Sequence, residues 1–322
     1  MPNRPKQSAR SVSLIRIANL RHSYKRTAAL NGISFDIREG EILGILGPNG
    51  CGKTTLFRIL STALLPSDGD ASVAGQSVKE HPERVRERIG VVFQSFGLDR
   101  KLTVRENLRY QGNLYFMQGE MLDQRIDSLL SSFGLSERSD DLVGILSGGL
   151  QRRVEIAKGV LHKPKVLLLD EPSTGLDPSA RLELWRFLEL CRKEEGTTVV
   201  LTTHFAEEAE RCDRLVILDR GVLVASGSPE HLKSGIGGDV VLVRSKNAQQ
   251  LMKKIQRRFA MESAIVGSEL LIEVVNGHRF IPRLIRAFPE FISSVTLRKP
   301  TLEDVFVHTT GHALQINGRE GS

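Results

Sequence analysis

From about Ser13 to Gly227, short apolar runs alternate with stretches of helical periodicity. That is the pattern of an α/β domain whose buried strands are joined by helices. "ISFDIREGEILGIL" reads as two strands about a turn at Gly40. "KVLLLDEP" and "TTVVLTTH" are compact apolar runs, as parallel strands buried on both faces require. Between them, "DPSARLELWRFLELCRKEEG" places Leu182, Trp185, Leu188 and Cys191 at helical spacing. Asp177 suits its N-cap, Pro178 its first position and Gly196 its stop. "LVILDRGVLVASG" predicts a hairpin turning at Asp219-Arg220-Gly221.

The rhythm changes twice. From about Phe96 to Lys163, "TVRENLRYQGNLYFMQ" and "MLDQRIDSLLSSFGL" are helical and strand signals are scarce, which predicts an all-helical insertion. After the "SGIGG" break at Ser234 to Gly238, a small unit begins with a strand, "DVVLVRS", and a helix, "NAQQLMKKIQRRF", that carries Leu251, Met252, Ile255 and Phe259 on one side. A hairpin in "AMESAIVGSELLIEVV" turning at Gly267-Ser268, a helix in "HRFIPRLIRAF" whose start Pro282 obscures, and a strand in "FISSVTL" follow. This βαββαβ order suggests a ferredoxin-like unit, with Thr301 and Asp304 as a capping box for a last helix. The expected division is a basic arm over 1–12, a large α/β domain over 13–233 with its helical part at about 96–163, a small α+β domain over 239–311, and a tail over 312–322 that reads as disordered.

Composition narrows the class. With 322 residues, 40% hydrophobic and 26% charged, the chain reads as soluble and globular. No apolar run approaches the roughly 20 residues that span a bilayer, and the start lacks the apolar core of a signal peptide. The formal charge is +7, but Arg4, Lys6, Arg10, Arg16, Arg21, Lys25 and Arg26 all precede the first acid, Asp36, and account for the excess. A short basic arm, solvated or touching an anion, fits better than a nucleic-acid platform, so no nucleic-acid partner is expected. Cys51, Cys191 and Cys212 have neither metal spacing nor a disulfide pattern and read as free thiols.

The chemistry begins at "GILGPNGCGKTT", where Gly47, Pro48, Asn49, Gly50, Cys51, Gly52, Lys53 and Thr54 fit G-x-x-x-x-G-K-[ST] between a strand and a helix. Glycines let backbone N–H groups close around phosphates, Lys53 supplies a cation for the β- and γ-phosphates, and the Thr54 hydroxyl can ligate Mg²⁺. Thr55 adds a donor near the α-phosphate. In "KVLLLDEP", Asp170 can hold Mg²⁺ through water and Glu171 can polarise an attacking water. His204 ends a strand expected beside that of Asp170, which would aim it at the γ-phosphate. Gln94, in "VVFQSFG", can offer an amide oxygen to Mg²⁺ or water. Tyr24 can stack on adenine or pack in the core, and Asp177 can serve a nucleotide as well as cap its helix. A second phosphate-binding pattern stands in "ILSGGLQRRVEIAKG", where Ser147, Gly148 and Gly149 precede a basic amphipathic helix.

In this order, Tyr24, the phosphate loop, Gln94, "LSGGL", "LLLDEP", the "STGLD" loop and His204 resemble the nucleotide-binding subunits of ABC transporters, from about Ser13 to Lys233. The resemblance implies an ABC-type P-loop ATPase that uses ATP and Mg²⁺. It also implies a head-to-tail dimer in which Ser147, Gly148 and Gly149 grip the nucleotide bound by a second ATPase subunit, here expected to be a second copy. Leu150 replaces the glutamine common at the end of that signature; Glu171 and His204 are intact, and activity is expected. "KPTLEDVFVHTTG", Lys299 to Gly311, is similar to the ending of ATPases that serve ABC-2 type exporters, the drug-resistance group among them. A separate membrane permease of that type is implied, docking near Gln94 and "SFGLDRKLTVREN", with the chain at the cytoplasmic face of the membrane. Three rivals compete: a soluble ABC ATPase acting on ribosomes or DNA, a metabolic P-loop kinase, and a regulator that only binds ATP. The first usually carries two cassettes or long coiled coils, and the second leaves Ser147 to Gly149 without a role; single-turnover hydrolysis would exclude the third.

Overall fold

The computed structural model describes residues 13–266 and 269–311. The basic arm, the Gly267-Ser268 turn and the tail expected from the sequence lie outside the described residues. The described residues cluster into two compact units: 13–43, Gly52–Thr203 and Arg220–Val222 form one, and Gly44–Cys51, His204–Asp219, 223–266 and 269–311 the other.

The first unit opens with two long strands, β1 (Ser13–Tyr24) and β2 (Thr27–Arg38), and the start of β3 (Ile42–Leu46). Helix α1 (Lys53–Leu60) follows, then β4 (Asp68–Val73) and β5 (Gln76–Ser77). Strands β2-β1-β4-β5 make an antiparallel sheet in that order. A short α2 (Pro82–Arg86) leads into β6 (Ile89–Val92). Next come α3 (Val104–Leu114), α4 (Gly119–Ser132) and α5 (Gly148–Val160), with two 3₁₀ turns between the last two. Helix α3 carries a full capping box, Thr103 with Glu106, and ends at Leu114 because Phe116 takes a left-handed φ of 57°.

Strands β7 (Val166–Asp170) and β8 (Thr198–Thr203) flank α6 (Pro178–Glu195). Both strands are buried at every residue, so their apolar runs have no polar face. Strands β6, β7 and β8 are parallel neighbours, with Val92 opposite Leu169 and Asp170 opposite Thr202. The start of β3 joins β8 through the Val199 amide, which donates to the Glu41 carbonyl at 3.0 Å.

Helix α6 is bounded as its sequence dictates: Asp177 accepts from the Ala180 amide at 2.9 Å, Pro178 takes the first turn, and Gly196 stops it at φ 66°. Leu182, Trp185, Leu188 and Cys191 all lie on this helix, as their spacing predicts, but they do not all share its buried side. Leu182 is exposed, because the buried stripe runs through Leu184, Trp185, Phe187, Leu188 and Cys191 and leaves Leu182 on the other side. Helix α5 rests on β6 backbone to backbone: a Cβ on Gly90 would collide with the Gly159 carbonyl oxygen.

The second unit holds the end of β3, a one-turn α7 (Ala206–Ala209), β9 (Arg214–Asp219), all but the first residue of β10 (Val222–Gly227) and α8 (Pro229–Ser234). Arg220 and Gly221, with φ of 47° and 78°, make the two-residue turn between β9 and β10 that the sequence signals. Beyond it run β11 (Asp239–Ser245), α9 (Ala248–Phe259), β12 (Ser263–Val266), β13 (Glu269–Val274), α10 (Gly277–Ala287), β14 (Ile292–Arg298) and α11 (Leu302–Thr310). The antiparallel order is β12-β13-β11-β14. Both α9 and α10 pack on one face of this sheet, with Leu251, Ile255, Phe280 and Leu284 against Val241, Val243, Leu270 and Ile272. Pro282 lies inside α10 rather than at its start. The Thr301–Asp304 capping box forms, and Arg298 adds a forked ion pair to the buried Asp304.

All three cysteines are buried and none forms a disulfide. Burial pushes the Cys191 thiol up to about 12 and the Cys212 thiol well above its ordinary value, which makes both inert. His162, just beyond α5, stacks on Tyr115 at 3.7 Å, and its Nε2–H donates to the Ile89 carbonyl at 3.0 Å. Its Nδ1 is buried with no hydrogen-bond partner among the described residues, and burial lowers the imidazole to about 4.

The folded form therefore favours neutral His162, and the stability this supplies is complete above the ordinary value near 6.5 and is lost as pH falls toward about 4. Urea unfolding at pH 7 and pH 5 tests this: the wild type should lose about 2 kcal/mol more over that interval than His162→Gln. Equal losses would place the acid sensitivity elsewhere.

Candidate functional site

The carboxyl ends of β6, β7 and β8 bring four of the expected residues together. Asp170 closes β7 and is buried. Its Oδ1 accepts from the Thr202 hydroxyl of β8 at 2.5 Å. Desolvation raises its pKa and the adjacent Glu171 adds to the rise, while the Thr202 hydrogen bond and the charges of Lys53 and Arg58 oppose it. Glu171 follows in a left-handed conformation, φ 47°. A non-glycine residue stays there only when its surroundings hold it. Its amide donates to the Thr202 hydroxyl at 2.9 Å and the Thr202 carbonyl at 3.2 Å, and its own carbonyl accepts from the Thr174 amide at 3.2 Å.

The Glu171 side chain faces three groups. Its Oε1 lies 4.0 Å from Lys53 Nζ, and its Oε2 accepts from Gln94 Nε2 at 3.2 Å and from the Thr174 hydroxyl at 3.5 Å. Lys53 is the first residue of α1 and is buried, whereas Thr54 points to solvent and Thr55 is buried. Gly52 precedes them at φ 109°, and a Cβ there would strike the Ala29 carbonyl, so only glycine fits. A carboxylate between an ammonium and an amide, at the mouth of parallel strands, is a place where an anionic ligand and a water can be held together.

Gly47 to Cys51 belong to the second unit: the Cys51 amide donates to the Pro48 carbonyl at 3.3 Å, Gly50 has φ 79°, and Asn49 is exposed. A Cβ on Gly47 would meet the Leu218 carbonyl oxygen. His204, also in that unit, is buried directly after β8 with its ring 4.1 Å from that of Phe205. Tyr24 ends β1 exposed, edge-on to His22 at 4.7 Å. Asp177 caps α6 as described. Ser147 caps α5, accepting from the Leu150 amide at 3.4 Å, and with Gly148 it lies exposed at the helix N-terminus.

Two side chains that the sequence analysis did not single out complete the arrangement. Thr202 orients both carboxylate residues, but in "TTVVLTTH" a threonine reads as a strand former. Arg152 is buried, and its guanidinium donates to the Phe93 and Gln94 carbonyls at 2.8 Å each. In the sequence it is one of several cations on a helix taken as basic and amphipathic. A helical plot that set it among apolar neighbours would have marked it.

Comparison with known proteins bears on this geometry. A family model described as ABC transporter matches residues 30–174. A second, described as an AAA domain, putative AbiEii toxin of a type IV toxin–antitoxin system, matches residues 156–206. The chain is 38% identical to the Nod factor export ATP-binding protein I of Rhizobium sp. (strain N33), over 94% of this chain and 98% of that protein. It is 36% identical to the daunorubicin resistance ATP-binding protein DrrA2 of Streptomyces coeruleorubidus, over 92% and 95%. Among solved structures, cbiO1 from Clostridium perfringens, part of the ABC transporter complex cbiONQ, superposes with TM-score 0.64 at 29% identity, covering 77% of this chain and 96% of that one. A post-hydrolysis dimer of an ATP-binding cassette bound to ADP and Pi superposes with TM-score 0.62 at 28% identity, covering 66% and 98%.

The Thr202 hydroxyl predicts a specific stability loss. Thr202→Val keeps the shape of the side chain but removes a donor from the buried Asp170 carboxylate, and unfolding in urea should show a loss of about 1–3 kcal/mol. Thr202→Ser should recover most of it. An unchanged midpoint for Thr202→Val would mean that Asp170 draws its support from other groups.

Proposed function

The chain belongs to the ATP-binding subunits of ABC transporters, and from that membership we propose how its own residues divide the work. It binds and hydrolyses ATP and powers the separate membrane permease of an ABC exporter. Among the described residues, no helix is long and apolar enough to cross a membrane. The permease is of ABC-2 type and the chain acts at its cytoplasmic face; likeness to Nod factor export and daunorubicin resistance ATPases over more than nine-tenths of the chain supports this. The ATPase domain takes residues 13–233, with its helical part at about 96–163, and the small α+β domain takes 239–311.

In this reading the amides of Gly47 to Lys53 and the Lys53 ammonium wrap the β- and γ-phosphates, Thr55 lies by the α-phosphate, and Tyr24 covers the adenine. Among the described residues, no three His, Cys, Asp or Glu side chains gather as a metal cage. One carboxylate, Asp170, with a hydroxyl and an amide oxygen is a donor set that fits Mg²⁺, which is usually bound by one or two carboxylates together with phosphate oxygens and water. Thr54, Gln94 and Asp170 would hold it, and when bound it neutralises charge that builds on the phosphates. The buried Asp170 carboxylate, desolvated and flanked by Lys53, suits a cation partner.

Glu171 takes a proton from the attacking water, and His204 steadies the γ-phosphate. A charged nucleophile is costly to form in water, so a base held by its backbone on one side and Gln94 on the other acts without reorganising. Ser147, Gly148 and Gly149 close on the nucleotide of a second copy of the chain, as an exposed helix N-terminus with free amides favours. Asp177 lies near the same junction while capping α6. ATP closes the pair, closure moves the permease, and hydrolysis reopens it. The observation that carries this reading is the Glu171 carboxylate set between Lys53 and Gln94 at the carboxyl ends of the parallel strands.

Light scattering on Glu171→Gln tests it. With Mg-ATP the variant should shift from monomer to dimer and stay there, while steady hydrolysis falls at least about a hundredfold. Hydrolysis near the wild-type rate would remove Glu171 from the role of base. ATP binding without dimerisation would mean that closure needs the permease or a different ATPase subunit.

A further inference from the structure

Two helices of the second unit, α9 and α10, carry charge of one sign. Helix α9 holds Lys253, Lys254, Arg257 and Arg258, and α10 holds Arg279, Arg283 and Arg286, with no Asp or Glu in either. Both pack on the same face of the β12-β13-β11-β14 sheet through buried Leu251, Ile255, Phe280 and Leu284. The cations fall outside that apolar stripe. Six of them are exposed, and the seventh, Lys254, is half-buried over the Phe291 ring at 4.9 Å. None of the seven has an ion-pair partner among the described residues. Cations on the sheet and just beyond it are matched instead: Arg244 with Glu269 at 3.1 Å, Lys299 with Asp239 at 2.8 Å, and Arg298 with Asp304.

Helix chemistry accounts for part of this pattern only. Arg257, Arg258 and Arg286 stand in last turns, where the helix dipole favours a cation. Arg279 stands in the first turn of α10, where the dipole disfavours one. Lys253 and Arg257, Lys254 and Arg258, and Arg279 and Arg283 are like charges four residues apart, and each such pair mildly destabilises its helix. A glutamate at one member of each pair would turn repulsion into attraction without disturbing the core. Seven unmatched cations at these positions point to a partner rather than to stability.

The chemistry of the face selects that partner. On α9 and α10, Ile285, at 43% exposure, is the one large apolar side chain left in the open among the described residues. A protein partner is held by aromatic or similar anchors seated in pockets, and a single-stranded nucleic acid by open aromatic faces. Here the Phe259 ring stands edge-on to Phe280 at 5.3 Å and Phe288 at 6.1 Å, with Arg283 over it at 5.6 Å, so these rings serve the core and the cations. A second copy of this face would bring like charge to like. The headgroup layer of an anionic bilayer fits: it attracts Lys and Arg without demanding shape, and it admits an aliphatic side chain at its edge.

We propose that the outer face of α9 and α10 is a docking surface for anionic phospholipid headgroups, with Lys253, Lys254, Arg257, Arg279 and Arg283 supplying the attraction and Ile285 entering the headgroup layer. The proposal goes beyond the ATPase reading and takes from it only that the chain works beside a bilayer. Neither ATP nor closure of a dimer enters it.

Flotation of the full chain tests it, with phosphatidylcholine vesicles that contain or lack one-third phosphatidylglycerol. The wild type should float with the anionic vesicles and not with the neutral ones. Raising salt from about 0.1 M to about 1 M should release it, since the screening length shortens from about 10 Å to about 3 Å. Combining Lys253→Gln, Arg257→Gln, Arg279→Gln and Arg283→Gln should weaken binding to anionic vesicles at least about tenfold. Hydrolysis of ATP without vesicles should stay within about twofold of the wild type. Arg279→Glu, which suits the first turn of α10 better than arginine, should weaken binding while leaving thermal stability equal or higher. Arg26→Gln with Arg84→Gln removes two exposed cations from the first unit and should bind as the wild type does. Unchanged binding in the fourfold variant, or equal binding to neutral vesicles, would overturn the proposal. A wild type that ignores anionic vesicles would overturn it as well, and capture of single-stranded RNA or polyglutamate in their place would assign the face to another polyanion. Each of these results leaves the ATPase reading standing, because that reading depends on hydrolysis through Glu171 and not on lipid.

Discussion

Thr202 lies opposite Asp170 in the parallel register of β7 and β8, and its hydroxyl donates to that carboxylate while accepting from the Glu171 amide. Both strands are buried, so their relative shift is fixed by apolar packing on two faces. The hydroxyl converts that register into the orientation of two acidic side chains. Asp170 stays in the strand, and Glu171 is turned out of it at φ 47°. Adjacent residues in an extended strand would point to opposite faces. The left-handed step is what allows neighbouring carboxylates to serve one site.

Electrostatics follows from the same step. Two carboxylates side by side repel, and burial disfavours the charge on Asp170. The compensation is local: Lys53 and Arg58 on α1, the Thr202 hydroxyl, and the Gln94 amide on Glu171. An ATPase needs this balance because the site must tolerate its own negative charge and then accept the charges of a triphosphate. The Lys53 ammonium lies 4.0 Å from Glu171, so each of these charges has a partner of opposite sign.

How far the sequence foretold this depends on the kind of force involved. Elements bounded by local chemistry were legible: the caps of α6 at Asp177 and Gly196, the Arg220-Gly221 turn, the Thr301–Asp304 box and the fully apolar β7 each carry their cause within a few residues. The motif residues Lys53, Gln94, Asp170 and Glu171 were legible because their order along the chain matches a known family, and the structure then joins them through space. The spacing put Leu182 on α6 correctly but could not tell that it lies on the exposed side, because helical spacing alone does not say which face meets the core. Pro282 obscured the start of α10, since a proline normally marks a helix's first turn, yet tertiary packing through Phe280 and Leu284 carries the helix past it. Thr202 and Arg152 escaped notice for a shared reason. Their work is long-range hydrogen bonding, and neither composition nor periodicity records a partner dozens of residues away.

The contact between Gly90 and the Gly159 carbonyl has a mechanical meaning. At that point α5 has no side-chain layer separating it from β6, so the helix cannot slide without the strand. Its other end, at Gly148, is eleven residues and thus about 16 Å away. A bulkier residue at position 90 or 159 would lift the helix by little where it touches, but the displacement would grow along the lever. Two glycines at the opposite end of α5 therefore act as the bearing on which the Ser147–Gly149 loop is aimed. Aim, unlike affinity, is lost without any change in the residues that make the contact.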